Sequence, residues 1–420
     1  MNAPDNKTVI RLPKFAQVDD DDEPKKQQPK DFRALWDEWG LQRGTNGQPL
    51  LNLSNAVSVL DNDPELAGLV RYDAFLQRML NKRGNEWSDK DDIELTVYVQ
   101  RETGLHRMGR DIVGQAVITV AHKHEANCVR EWMDGLRHDG VQRMESFFAD
   151  CLDAEASEYT SAASRNFWIS MVARVYKPGC KVDNMVVLEG DQGVGKSSSL
   201  RIIGGDYFAE QHESATNPKA FAEILQGKLL VEISEMDAFS RVEVSRVKQT
   251  ISCQADRYRA SYGRHAIDHP RQCVFVGTTN KQDWNRDDTG ARRFWPVACG
   301  SNIRLDLVEA NRDQLFAEAV ARYKAGEPHW HMPPEATRQQ QEARYQGDPW
   351  MEKVADILKG ESKVTTSHIF DKLDIPIKQR TRADEIRIGK CLGVLKWKRN
   401  RDRIQGTKER EYFYYPPTDG

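Results

Sequence analysis

A chain of 420 residues is too long for one typical core, so two or three domains are expected. Its formal net charge of −3 excludes a globally basic nucleic-acid binder, and any such surface must be local. The seven cysteines form no C-x-x-C pair and are odd in number, which argues against a disulfide frame or zinc site and for a reduced, cytoplasmic protein. No apolar run approaches the ~18 residues of a membrane span, and no signal-peptide pattern is present. His122-Lys-His124 and His329-Trp-His331 lack cysteine or carboxylate partners at ligand spacing, so neither reads as a metal site.

Residues 1–30 join Asp19-Asp-Asp-Asp-Glu23 to Pro24-Lys-Lys-Gln-Gln-Pro29, the composition of a disordered tail. Residues 31–140 read as a hairpin followed by a helical domain. Trp36 to Leu53 flanks Thr45-Asn-Gly47, a strong turn signal, with apolar positions on both sides. Ser54 is placed to cap a short helix to Leu60. Ser88, with Asp91 and Asp92, starts a helix to about Glu102; Arg110–His122 and Glu125–Leu136 supply two more. Ile93 and Val97, then Ile112, Ala116 and Val120, recur at helical spacing and predict buried faces. Asp89, Asp91 and Asp92 read as first-turn acids facing the helix dipole rather than a catalytic block.

Residues 141–330 carry the motif that organises the chain. Helices over Arg143–Leu152 and Ser157–Tyr176 precede the apolar strand Met185-Val-Val-Leu188. Then come Gly190, Asp191, Gln192, Gly193, Val194, Gly195, Lys196, Ser197 and Ser198, opening a helix to Ile203. Strand, G-x-x-x-x-G-K-S and helix together predict an α/β P-loop nucleotide site. Its amides cradle phosphate, Lys196 neutralises charge and Ser197 ligates Mg²⁺. A helix from Asn217 or Pro218 to Leu225 leads to the second apolar run, Lys228–Glu235. It ends in E-x-x-E, with Glu232 favoured for the metal shell and Glu235 for polarising the attacking water. The third strand, Cys273–Asn280, places Asn280 as a γ-phosphate sensor.

Asn280-Lys-Gln-Asp283 also matches the guanine-specifying N-K-x-D. No Asp in 198–279 has a Gly three residues later, so the D-x-x-G partner motif is missing and ATP is preferred. Arg292 and Arg293 are candidates for a finger reaching a neighbouring subunit's nucleotide. Between acids and sensor lies a predicted hairpin carrying Arg257, Arg259, Arg264 and His265, with Tyr258 and Tyr262 interleaved. Basic groups for phosphate and aromatics for bases suit single-stranded DNA; a structural hairpin with solvated charges is the alternative.

Together these residues resemble the virulence-associated protein E family of phage, satellite and plasmid replication proteins. The matching pieces are Leu188–Ser198, Glu232-Ile-Ser-Glu235, Asp256-Arg-Tyr-Arg259 with Tyr262-Gly-Arg264, Phe275–Asn280 and Thr289-Gly-Ala-Arg-Arg-Phe-Trp-Pro296. The resemblance implies a superfamily-3-like AAA+ ATPase that forms a hexameric ring on single-stranded DNA. It implies ATP and Mg²⁺ at Lys196 and Ser197, acids at Glu232 and Glu235, a sensor at Asn280 and a finger at Arg292 or Arg293. The hairpin around Tyr262 to His265 would line the ring channel. Two departures stand out. Residues 1–140 are too short, and lack the acids, for the primase domain that many members carry, so a separate primase is implied. Where relatives show Trp-Asp-Gly, this chain has His138-Asp-Gly140.

Residues 331–420 read as helices over Pro333–Tyr345, Pro349–Leu358, Thr365–Leu373 and Arg382–Leu395, then strands at Lys396–Arg399 and Glu411–Tyr415 turning near Gly406. This is a winged-helix order. Residues 378–412 hold 12 Lys+Arg against 5 Asp+Glu, and with Trp397 and Tyr412 they suit duplex origin DNA, a protein-interaction module being the alternative. Three functions stay open: a ring helicase, an initiator that melts an origin without processive unwinding, and a nucleotide-gated DNA-binding regulator.

Overall fold

The computed structural model describes residues 32–211, 218–239, 241–259, 265–281, 284, 293–344, 350–403 and 410–417. The acidic–basic tail, Tyr262, Arg264, Arg292, Asp283 and the turn near Gly406 therefore lie outside the described residues.

The amino-terminal part contains α1 (Arg33–Glu38), α2 (Leu53–Asn62), β1 (Val70–Asp73), β2 (Arg78–Asn81), α3 (Asp89–Glu102), α4 (Arg110–Lys123) and α5 (Cys128–Gly135). The expected hairpin from Trp36 to Leu53 shrinks to one bridge, Arg43 with Pro49, around the Asn-Gly turn. Trp36 lies instead in helix α1, where its indole Nε1 donates to Thr103 O at 2.8 Å. Buried Asn55 explains the short ladder. Its side chain accepts from Gln42 N at 2.7 Å and donates to Gln42 O and Leu50 O, each at 2.8 Å, so these backbone groups need no longer strand pairing. Asn52, not Ser54, caps α2, accepting from Asn55 N at 3.0 Å. Ser88 and Asp91 form the capping box of α3. The buried stripe of α3 is Leu95, Thr96 and Val99; Ile93 and Val97 face outward, whereas Ala116 and Val120 of α4 are buried. The β1–β2 hairpin, paired from Val70–Asn81 to Asp73–Arg78, was not predicted.

The central part runs α6 (Phe147–Leu152), α7 (Glu158–Tyr176), β3 (Met185–Glu189), α8 (Lys196–Gly204), β4 (Phe208–Gln211), α9 (Pro218–Leu225), β5 (Leu230–Ile233), α10 (Arg241–Ser252), β6 (Ala255–Tyr258), β7 (Ile267–Pro270), β8 (Val274–Thr279), β9 (Phe294–Ala298) and α11 (Leu305–Lys324). Five strands form one sheet in the order β4-β5-β8-β3-β9, every pair parallel. Near-continuous apolar runs are what a sheet covered on both faces requires. Val186 and Leu188 point to a core shared with α6, α7, α8 and α11, built around Trp168 and Phe316. Met185 and Val187 point to the other, with Phe221, Val244, Phe275 and Trp284.

The carboxyl-terminal part adds α12 (Pro334–Ala343), α13 (Met351–Leu358), α14 (Thr366–Lys372), α15 (Arg382–Val394), β10 (Lys398–Arg403) and β11 (Arg410–Tyr415). β10 and β11 pair antiparallel from Lys398–Tyr415 to Arg403–Arg410, and Val364 bridges Tyr414. Val354, Ile369, Phe370, Ile388, Leu392 and Tyr414 make a separate small core. Trp397 packs against that core and is not a free aromatic on the wing, unlike Tyr412, which is 47 % exposed. Among the described residues no helix is long and apolar enough to cross a membrane.

Candidate nucleotide site

Parallel strands send their carboxyl ends, and the loops after them, to one edge of the sheet. There the loop from Gly190 to Gly195 runs from β3 into α8. Gly193 and Gly195 take φ +85° and +110°, which side chains other than hydrogen resist. A Cβ on Gly190 would meet Cys299 O at 3.1 Å. The helix amino terminus opens into a cleft of about 240 Å³ lined by Gln192, Gly193, Gly195, Lys196, Ser197, Ser198, Glu210, Ser234, Glu235, Thr278, Thr279 and Asn280. Asp191 is exposed on the loop and Val194 half-buried. Loop and first-turn amides, a helix dipole and a lysine at one rim make an anion cradle.

Lys196 is buried and folded onto its own loop. Its Nζ donates to Gly190 O at 2.6 Å and Asp191 O at 2.8 Å, and lies 3.4 Å from Asn280 Oδ1. β8 sits between β3 and β5, and this strand order delivers Asn280 beside the lysine. That placement puts the Asn280 amide beside the phosphate-binding lysine.

Glu232 is fully buried in β5. Its Oε1 accepts from Ser197 Oγ at 2.7 Å and Thr278 Oγ1 at 2.6 Å, while its Oε2 has no partner. A buried carboxylate oxygen left without a donor is costly. Beside a P-loop hydroxyl, it fits a divalent cation held jointly with phosphate and water, as Mg²⁺ is usually held. No cluster of three or more His, Cys, Asp or Glu among the described residues offers an all-protein metal cage. Thr278 was not among the predicted site residues; the Thr278-Thr279 pair at the tip of an apolar strand was the available signal.

Glu235 follows β5 in a left-handed conformation, φ +53°, and lines the cleft with its side chain exposed. A non-glycine residue in that region marks a backbone constrained by its surroundings. Arg293 stands elsewhere. It precedes β9, whose Phe294 pairs with Met185 at the amino end of β3, and its Nε donates to Ser252 Oγ at 3.0 Å. It is thus at the sheet edge opposite the chain's own P-loop.

The expected hairpin is present as β6 and β7, paired from Ala255–Pro270 to Tyr258–Ile267. Arg257, Arg259 and His265 are exposed, with Arg257 Nη1 3.1 Å from Asp268. Tyr258 is not a free aromatic. It is buried and stacks on His269 at 4.1 Å between ring centroids. Burial also holds the His269 imidazole below its ordinary pKa, and its Nδ1 lies 2.7 Å from Gln77 Oε1. Gln272 Nε2 donates to Ala74 O at 2.8 Å. The β1–β2 turn therefore braces the base of this hairpin.

A P-loop opening a helix at the edge of a five-stranded parallel sheet defines the class: an α/β fold of the P-loop NTPase type, with a nucleotide-binding site. The model of the virulence-associated protein E-like domain matches residues 133–348, and the chain belongs to that family. Two solved apo structures of the NrS-1 C-terminal region are similar. One shares 15% sequence identity over 83% of this chain and 95% of that chain, with a TM-score of 0.47. Another shares 12% over 87% and 99%, with a TM-score of 0.49. No curated protein matches the sequence.

Proposed function

We propose that the chain is an ATP-hydrolysing DNA helicase or translocase of phage or mobile-element replication, working in the cytoplasm of a bacterial host as a homo-oligomeric ring, by expectation a hexamer. One observation carries the reading: Lys196, Asn280 and Ser197 line a single cleft, and Glu232, buried behind Ser197, keeps one carboxylate oxygen unpartnered.

In this reading the loop amides of 190–198 bind the β- and γ-phosphates, and Lys196 exchanges its carbonyl partners for phosphate oxygens. Ser197 Oγ and Glu232 would hold Mg²⁺, which would supply charge neutralisation for the phosphates. Thr278 holds the Glu232 carboxylate in place. Glu235, exposed at the cleft, orients and deprotonates the attacking water, and Asn280 contacts the γ-phosphate beside it. Arg293 or Arg292, displaced from the chain's own P-loop, completes the site of the next subunit, where added positive charge stabilises the transition state.

Arg257, Arg259 and His265, with Tyr262 and Arg264 between them in sequence, face single-stranded DNA in the ring channel. The three helices and hairpin of 350–415 form a winged-helix-like module for duplex origin DNA. Arg399 lies over the Tyr412 ring at 3.7 Å and Arg401 at 5.8 Å, which gathers positive charge on an exposed face of the wing. A double Arg399→Ala/Arg401→Ala variant should weaken duplex binding and flatten the log–log salt slope by about 2, each phosphate contact contributing about 0.9. Fluorescence anisotropy over a salt series reads this directly, and an unchanged slope removes the wing from the interface.

The whole reading is tested by phosphate release with and without single-stranded DNA, strand displacement on a forked duplex, and sizing with ATP. DNA-stimulated hydrolysis with displacement supports a motor working with a separate primase. Hydrolysis without displacement reduces it to an initiator or loader, and nucleotide binding with no hydrolysis refutes it.

A further inference from the structure

The residue just before the P-loop carries a charged side chain that phosphate binding does not use. Glu189, the last residue of β3, is fully buried and lies on the Met185–Val187 face of the strand, away from the cleft. Arg344, just past the end of α12, grips it: Nε lies 3.1 and 3.0 Å from its two oxygens and Nη2 lies 2.9 Å from Oε2. Trp284 Nε1 donates to Oε1 at 2.7 Å. Trp284 is itself buried against Phe294 and lies four residues beyond Asn280 in the chain. Gln341 Nε2 donates to Phe294 O at 3.0 Å, so α12 is tied across β9 as well.

A hydrophobic residue of similar volume serves packing as well as a buried ion pair does, and often better. What the ion pair adds is fixed geometry, because a fork on a carboxylate holds both groups in one plane. Here that geometry joins three elements. Glu189 adjoins Gly190, whose carbonyl holds Lys196. Trp284 belongs to the exit from the sensor strand. Arg344 ends the last helix before the carboxyl-terminal core.

We propose that the Glu189–Arg344 pair, with Trp284, is a positioning latch that sets the P-loop against Asn280 for hydrolysis. The proposal rests on the ATP-hydrolysing reading above for its kinetic consequence, though not for its structural one. Misplacing reacting groups by about 1 Å is enough to cost roughly 10²-fold in rate. Phosphate affinity, which comes from the loop amides and Lys196, depends far less on this spacing.

The test uses full-length Arg344→Met, Arg344→Lys and Glu189→Gln. Arg344→Met should lower kcat by about 10- to 100-fold at temperatures where the variant remains folded, with Kd for a fluorescent ATP analogue within about 3-fold of the unmodified protein. Arg344→Lys, which keeps the charge and loses the fork, should fall between. Hydrogen exchange supplies a readout independent of hydrolysis: the P-loop amides should exchange at least about tenfold faster in Arg344→Met, while those of β4 at the far edge do not change. A variant that melts earlier yet keeps full kcat and unchanged P-loop exchange overturns the latch, because the pair then only stabilises the fold. Absence of hydrolysis in the unmodified protein overturns the preceding reading instead, and exchange still decides the latch.

Discussion

Replacing Lys196 with Ala should abolish nucleotide hydrolysis, lowering kcat by about 10²- to 10³-fold or more while leaving the fold intact. The size follows from what the ammonium does. Among the described residues it is the one buried cation lining the cleft, and removing a preorganised charge-stabilising donor of this kind costs on the order of 3–4 kcal/mol of barrier. The fold should survive because Lys196 bonds the loop carbonyls of Gly190 and Asp191 at the rim of a cleft open to water that can replace it. Phosphate release at saturating ATP, alongside thermal unfolding, checks both halves. A Lys196→Ala protein that hydrolyses at more than a tenth of the original rate would move the chemistry to another site.

The largest stability effect should come from Asp256→Ala. Asp256 binds Arg271 through two bonds of 2.6 Å at the base of the β6–β7 hairpin. Arg271 is only 5 % exposed and cannot turn to solvent without unpacking from Phe275, over which its guanidinium lies at 5.5 Å. Deleting one partner of a buried pair strands the other charge, at a cost of about 3–5 kcal/mol. Urea unfolding should show a midpoint shifted to match, with Asp256→Asn losing less because it keeps an acceptor. A shift under about 1 kcal/mol would mean that water reaches Arg271 and the base of the hairpin is open.

The nucleotide site was legible in the sequence because its demands are local. Glycines with positive φ, a lysine and a hydroxyl at fixed spacing are required by the phosphate cradle itself, and the strands around it are apolar throughout because both faces are covered. Helices opened by a strong cap, such as α3 at Ser88, were equally clear. The failures share a cause: partners distant in sequence. Trp36 sits in a helix because Thr103 receives its indole, while the Asn-Gly turn nearby advertised a ladder that Asn55 replaces. Ile93 and Val97 have the right spacing for burial but the packing against α4 uses Leu95 and Val99. Tyr258 and Trp397 carried the composition of nucleic-acid contacts and were drawn into the protein by His269 and the carboxyl-terminal core. Nothing near Glu189 in the chain announces Arg344.

The position of β8 has a mechanical consequence. It is bonded along both edges, to β5 and β3, and begins four residues after the hairpin strand β7 ends at Pro270. A strand held on both sides does not slide by itself, since slipping one residue would turn every side chain to the wrong face. β8 is therefore a stiff rod, roughly 20 Å long at about 3.3 Å per residue, with the hairpin fixed at one end and Asn280 at the other. Such a rod neither stretches nor buckles under load; it tilts with the sheet that holds it. Force applied at the hairpin would thus reach the P-loop edge as a rotation of the whole sheet, not as a slide of one strand.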